Sequence, residues 1–137
     1  MSKGEHIVTK RLLPGQDLRQ ELETLSKEHD IKAGVLLSLV GGLHHATLRM
    51  PGAQPDNQCI REWEGPFEIV SGTGTFSHDG IHIHIAVSDV NGLVIGGHLK
   101  NGCIIANTVE VVIQSFSEMV YRRIMDPATG FTELSVE

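Results

Sequence analysis

The segment IHIHIAVSDVNGLVIGGHLKNG, residues 81–102, decides how the rest of the chain is read. Its first part alternates strictly. Ile81, Ile83 and Ile85 share one face of a strand, and His82 and His84 share the other. The isoleucines belong to a core, so the imidazoles stand together on the non-core face. Asp89-Val90-Asn91-Gly92 then reads as a hairpin turn of three loop residues, with Gly92 left-handed at the bulge. If residues 89 and 93 close that loop, paired positions sum to 182 and His98 falls opposite His84, with His82 diagonal to it. A two-residue Asn91-Gly92 loop would give a sum of 183 and throw His98 to the opposite face. The first register gathers the isoleucines on one side and the histidines on the other, and it is the one adopted.

Three neutral imidazoles with one open position suit zinc or another divalent transition metal. His82, His84 and His98 are therefore the candidate ligands. The fourth ligand would be water or a carboxylate, Glu68 or Glu110 being the candidates. Gly96 and Gly97, beside His98, either leave room for an ion or mark a bulge. The adjacent pair His44-His45 faces opposite ways on a strand and cannot chelate together. Glu68 points away from its neighbours Phe67 and Ile69, whereas Glu110 in TVEVVI would need a partner if it pointed inward.

Working outward, Glu5–Leu13 reads as a strand ended by Pro14-Gly15, and Gln16–His29 as a helix with Leu18, Leu22 and Leu25 on one stripe. Asp17 sits where the helix dipole favours a carboxylate. Residues 33–40, 44–50, 59–64, 67–76, 81–87, 92–99 and 104–116 read as strands, with PGAQPDNQ at 51–58 as a loop. The tail from Tyr121 is a strand broken by a turn at Asp126–Gly130. One helix among many strands gives an α+β class, mainly antiparallel, in a single domain spanning 1–137. Val109, Val111 and Ile113 alternate with Glu110, Val112 and Gln114, so even the more polar face of that strand carries a valine. A single helix cannot cover such a sheet, and the remainder calls for a partner subunit.

Lys and Arg number 11 against 17 Asp and Glu, a net charge of −6 that argues against binding nucleic acid through its phosphates or a membrane through basic residues. With only six aromatic residues, there is little to stack on bases. Two cysteines are too few for a disulfide framework. Without a signal-like N-terminus or an apolar run of about 18 residues, the expected setting is cytoplasmic, with no membrane association.

The segments AGVLLSLVGGL, GPFEIVSGTGTF, HIHIAVSDVNGLVIGGHL, NGCIIANTVEVVI and YRRIMDPATGF, taken in order, resemble the plant and prokaryote conserved (PPC) domain. That resemblance implies an antiparallel sheet crossed by a helix, a homotrimer, and a distant likeness in fold to acetolactate decarboxylase, a zinc enzyme with an H-x-H plus His site. The family's histidines map onto His82, His84 and His98. In plants the domain follows AT-hooks, which this sequence lacks, and the family is often labelled DNA-binding. Where the plant pattern reads G-R-F-E-I-L, this chain has Gly65-Pro66-Phe67-Glu68-Ile69-Val70, with Pro in place of Arg. Three functions follow as expectations. The first is a homotrimeric metal-binding module that binds or regulates through a small ligand or protein partner. The second is a metal-dependent enzyme, lyase- or hydrolase-like, acting on a small carboxylate or oxo compound, with Glu68 or Glu110 as acid or base. The third is direct DNA binding.

Overall fold

The computed structural model describes residues 6–137. Strand β1 (His6–Leu12) precedes helix α1 (Leu18–Glu28), and seven strands follow: β2 (Ala33–Arg49), β3 (Ile60–Ser77), β4 (Gly80–Ser88), β5 (Val94–Leu99), β6 (Ile104–Ser115), β7 (Tyr121–Met125) and β8 (Thr132–Val136). The α+β, mainly antiparallel class is as expected. Glu5, placed in the first strand by its sequence, lies outside the described residues.

Six strands form one antiparallel sheet in the order β1-β6-β2-β3-β4-β5, and β7 and β8 form a separate two-stranded sheet. Two expected strand pairs each prove to be one long strand. The 33–40 and 44–50 segments join into the 17-residue β2, and those around Gly65-Pro66 join into the 18-residue β3. The glycines and proline bend these strands without ending them. Register shifts near Leu43 and Ile69 absorb the irregularity, since an extra residue on one strand bends the pair while pairing resumes beyond it.

β2 also pairs with β5 at its far end, through Leu48↔Leu99 and Arg49↔His98. Strands β2, β3, β4 and β5 therefore close on themselves as a four-strand ring. Gly97 permits this closure: a Cβ there would stand 2.8 Å from the Arg49 carbonyl oxygen. No register shift interrupts the β4–β5 pairing, so the two glycines mark a close strand approach rather than a bulge.

Asp17 caps α1, its carboxylate accepting from Gln20 N at 3.2 Å and from Gly102 N at 2.7 Å, which also ties the helix start to the β5–β6 turn. Leu18, Leu22 and Leu25 are buried beside Ile81, Ile83, Ile85 and Val87 of β4 in one core. Each such side chain contributes roughly 1.5–3 kcal/mol by leaving water. This burial fixes the orientation of β4, with isoleucines inward and histidines outward.

Candidate metal centre

The β4–β5 hairpin has the register its turn chemistry requires. Asp89 N donates to Leu93 O and Gly92 N to Asp89 O, at 2.9 and 3.0 Å, and Gly92 has φ +79°. The Asp89 carboxylate fixes the loop by accepting from the N–H groups of Asn91 and Leu93. His84 stands directly opposite His98. The rings of His82, His84 and His98 form a triangle with centroids 4.8–5.4 Å apart. One nitrogen from each falls within 4.8 Å of the others, and the Nε2 atoms of His82 and His84 are 3.1 Å apart. Two ligands on a tetrahedral ion with bonds of 2.0–2.1 Å would be about 3.3 Å apart, so the pair nearly has that spacing.

Burial and nearby cations keep His82 and His98 neutral, the form that ligates metals. Burial, reinforced by the Arg49 charge, pushes the His98 pKa down to about 3. Burial and then the Arg123 charge lower that of His82. The charged side chains acting on these two rings are mostly cationic (Arg49, Arg123, Lys100 and Arg19), with Glu133 as the anionic exception. His84 is exposed and opens the cluster to solvent.

Glu68 and Glu110 are not brought to this site. Glu68 is exposed and pairs with Ser88, at the opposite end of β4 from His82. Glu110 is exposed on β6, between Arg11 of β1 and Val40 of β2, two strands removed from β4. Neither carboxylate belongs to the histidine cluster.

Arg49 reaches the site unannounced by any sequence motif, and Arg123, within the family-like YRRIMDPATGF segment, reaches it without a site role having been expected of it. Ring closure sets Arg49 beside His98, and its Nη2 donates to His98 Nδ1 at 2.9 Å. Nη1 donates to Gln58 Oε1 at 3.2 Å, and the guanidinium carbon lies 5.1 Å from the Phe131 ring centroid. Arg123, on β7, donates from Nη2 to Thr75 Oγ1 at 2.9 Å, and Thr75 is the cross-strand partner of His82. A pocket of roughly 360 Å³ opens beside the cluster between Arg49, His84, Gly96, His98 and Phe131. Gly96 and Gly97 thus both line this space and let the strands approach.

Residues 1–117 match the Plants and Prokaryotes Conserved (PCC) domain. The chain belongs to this family. The PCC match ends before the β7–β8 hairpin, although the structure continues into it. The bifunctional protein GlmU of Synechococcus sp. (strain JA-3-3Ab) is 44% identical over 127 residues, covering 93% of this chain. AT-hook motif nuclear-localized protein 24 of Arabidopsis thaliana is 27% identical over 117 residues, or 80% of this chain. The chain spans 20% of the length of the first relative and 35% of the second. A solved structure from Salmonella cholerae-suis superimposes with a TM-score of 0.90 at 29% identity, covering 100% of this chain and 96% of that one. A metal-containing protein from Archaeoglobus fulgidus gives 0.83 at 26% identity, covering 95% and 93%. The fold likeness also extends to a Staphylococcus aureus protein similar to acetolactate decarboxylase, with a TM-score of 0.50 at 23% identity over 80% of this chain and 52% of that one.

Proposed function

We propose that this PCC domain is a homotrimeric, cytoplasmic metal-binding module that takes one divalent transition ion, zinc foremost, on His82, His84 and His98. The observation that carries this reading is the convergence of three ring nitrogens within 4.8 Å, on a surface where burial and neighbouring cations hold His82 and His98 neutral. The metal-containing relative from Archaeoglobus fulgidus supports it. Bound there, the ion would supply Lewis-acid chemistry at a position the protein leaves open.

The chain's own part is to hold three imidazoles on a rigid hairpin and to control their protons. A guanidinium cannot accept a hydrogen bond, so the Arg49 contact requires an unprotonated His98 Nδ1. Ligation through Nδ1 would displace Arg49. Ligation through Nε2 would leave the ring proton on Nδ1, where Arg49 can no longer donate. Either way, metal and the Arg49–His98 hydrogen bond are alternatives. Since neither Glu68 nor Glu110 reaches the cluster, a binding or regulatory role ranks above a catalytic one that needs them as acid or base. The net charge of −6 favours both over direct DNA binding, for which we expect only nonspecific duplex affinity of roughly 10⁻⁴ to 10⁻⁶ M at physiological salt.

Assembly is supported by large apolar side chains on the outer face of the sheet and at the β4–β5 hairpin tip. Leu37 and Val40 of β2 and Val70 of β3 are half exposed, and Val90 at the tip is 77% exposed. Such patches are commonly covered by another subunit. Sedimentation velocity at low micromolar concentration should give a single boundary at three times the chain mass; a monomer boundary refutes the trimer. For the metal, elemental analysis of protein purified without chelators should find about one ion per chain, as one three-ligand site requires. Its absence, together with no uptake on zinc titration, refutes the centre.

A further inference from the structure

Neither guanidinium beside the histidines forms an ion pair among the described residues; the carboxylate acting on Arg123, Glu133, does so from beyond ion-pair distance. Arg49 uses two of its five N–H donors, on Gln58 and His98, and forms no ion pair among the described residues. Arg123 has no carboxylate within ion-pair distance among the described residues, and its buried Nε finds no acceptor. Both side chains are partly buried. A cation withdrawn from water without a partner is costly, and an orphaned buried N–H adds to that cost. Of the other arginines, Arg19 pairs with Glu23 and Arg122 with Asp79 and Glu137, whereas Arg11 and Arg61 are exposed to water. The unmatched pair therefore stands out, and both members flank one three-histidine cluster. A divalent ion there would deepen the positive field.

The pocket suggests the ligand's shape. Arg49 forms one side, its guanidinium carbon over the Phe131 ring, and the short segment Met50-Pro51-Gly52-Ala53 supplies a mostly apolar wall. A volume of roughly 360 Å³ lies at the small end of ligand pockets. Phe131 and Arg123 both come from the β7–β8 region, beyond the part of the chain that matches the family.

We infer that Arg49 and Phe131 form a seat for a small carboxylate-bearing molecule, whose carboxylate lies against the Arg49 guanidinium and whose short body lies on the apolar wall, with Arg123 adding positive charge from beside His82. The inference extends the metal reading above and rests on it for one feature, a second contact from a 2-oxo oxygen to the bound ion. Guanidinium is suited to the task because its planar fork matches a carboxylate. Metal and ligand then help one another. Ligation of His98 releases Arg49 from Nδ1, so the loaded site has a freer guanidinium to offer. The same coupling must tighten metal in the presence of the acid, since binding linkage is reciprocal.

Calorimetric titration tests this on the full chain, zinc-loaded and zinc-free, with pyruvate as the 2-oxo acid and acetate and inorganic phosphate as comparators. Zinc content is measured on every sample. Pyruvate should bind the zinc form more tightly than acetate or phosphate does, and bind the zinc-free form more weakly. Arg49→Gln should weaken pyruvate at least about tenfold with zinc content unchanged, as expected for losing a charged partner. Arg123→Gln should weaken it less, and pyruvate should slow zinc loss to a chelator in the parent but not in Arg49→Gln. If zinc binds but pyruvate does not, or binds Arg49→Gln as well as the parent, the seat is refuted and the metal centre stands. If zinc does not bind, the metal reading fails; arginine-dependent acetate binding would then uphold the seat, and its absence would refute that too. Tighter binding of phosphate than of either carboxylate overturns the assignment of ligand class.

Discussion

The molecule carries two histidine groups built on the same strand geometry, with opposite results. On β4 and β5, His84 faces His98 and His82 lies diagonal to them. On β2 and β3, His45 faces Glu64, and Glu62 occupies the diagonal position. In the first group every member is an imidazole, and arginines crowd around. In the second the single imidazole is held by two carboxylates, Nδ1 at 2.7 Å from Glu64 and Nε2 at 3.0 Å from Glu62. Hydrogen bonding to Glu62, helped by Glu64, raises the His45 pKa, whereas burial and the arginine charges lower those of His82 and His98. Histidine count and spacing therefore say little about chemistry until the cross-strand partners are known. Opposed imidazoles with cationic neighbours make a ligand set, and an imidazole between carboxylates makes an ion-paired clamp.

The largest effect should come from comparing double variants of the two groups. The combination of His84→Ala and His98→Ala should abolish metal uptake by elemental analysis, while His44→Ala with His45→Ala should leave it at the parental level. Full retention in the first, or loss in the folded second, breaks the distinction. Next comes Ile83→Ala, on the core face of the same strand as the ligands. This fully buried side chain should cost about 2–5 kcal/mol in urea unfolding, with metal stoichiometry intact in whatever remains folded. A loss below about 1 kcal/mol would contradict the assignment of the two faces.

Gly97→Ala is expected to be intermediate, about 1–3 kcal/mol, since its Cβ would press on the Arg49 carbonyl and Leu48 across the closing seam. Its crystal structure should show Arg49 withdrawn from His98, and an unmoved Arg49 would show that the seam does not position it. The smallest effect belongs to the clamp. A raised folded-state pKa stabilises at pH below the unfolded value of 6.5, and the gain fades as pH rises through the folded value. Replacing Glu62 and Glu64 with Gln should therefore lower stability at pH 6 by no more than about 1 kcal/mol, because the pairs are near solvent. The deficit should vanish or reverse by pH 9. An equal deficit at both pH values would remove the clamp from the argument. NMR titration should also move the His45 midpoint back toward 6.5.

The histidine triad was legible because two local rules agreed: alternation chose the face, and the Asp89–Gly92 turn chose the register. The helix was legible from three leucines and a capping aspartate. Arg49 was not, because its place depends on β2 meeting β5 across a ring that no local pattern encodes. Arg123 and Phe131 were hidden for a similar reason, as the second sheet sits beside the first only through tertiary contacts. The breaks expected inside β2 and β3 overestimated glycine and proline, which long strands accommodate by bending. Glu68 and Glu110 show the limit of alternation. It gave each a face, but not the distance across a sheet whose order is β1-β6-β2-β3-β4-β5.

The β7–β8 hairpin gives the site walls of unequal stiffness. β2 is paired on both sides, whereas the hairpin is a two-stranded sheet, a unit that is marginal by itself. It is moored by a few contacts: Tyr121 to Lys32 and His78, the Arg123 backbone to Asp79, and Phe131 against Arg49. Local opening of such an element requires far less free energy than opening the main sheet. In hydrogen exchange, amides within 121–136 should lose their protons well ahead of those in β2. The imidazoles would then remain on a framework that breathes only with global unfolding, while Arg123 and Phe131 ride on one that breathes often. A molecule too large to enter the static pocket could pass during those openings, so the rate of entry would follow the hairpin's opening equilibrium rather than the width of the pocket at rest.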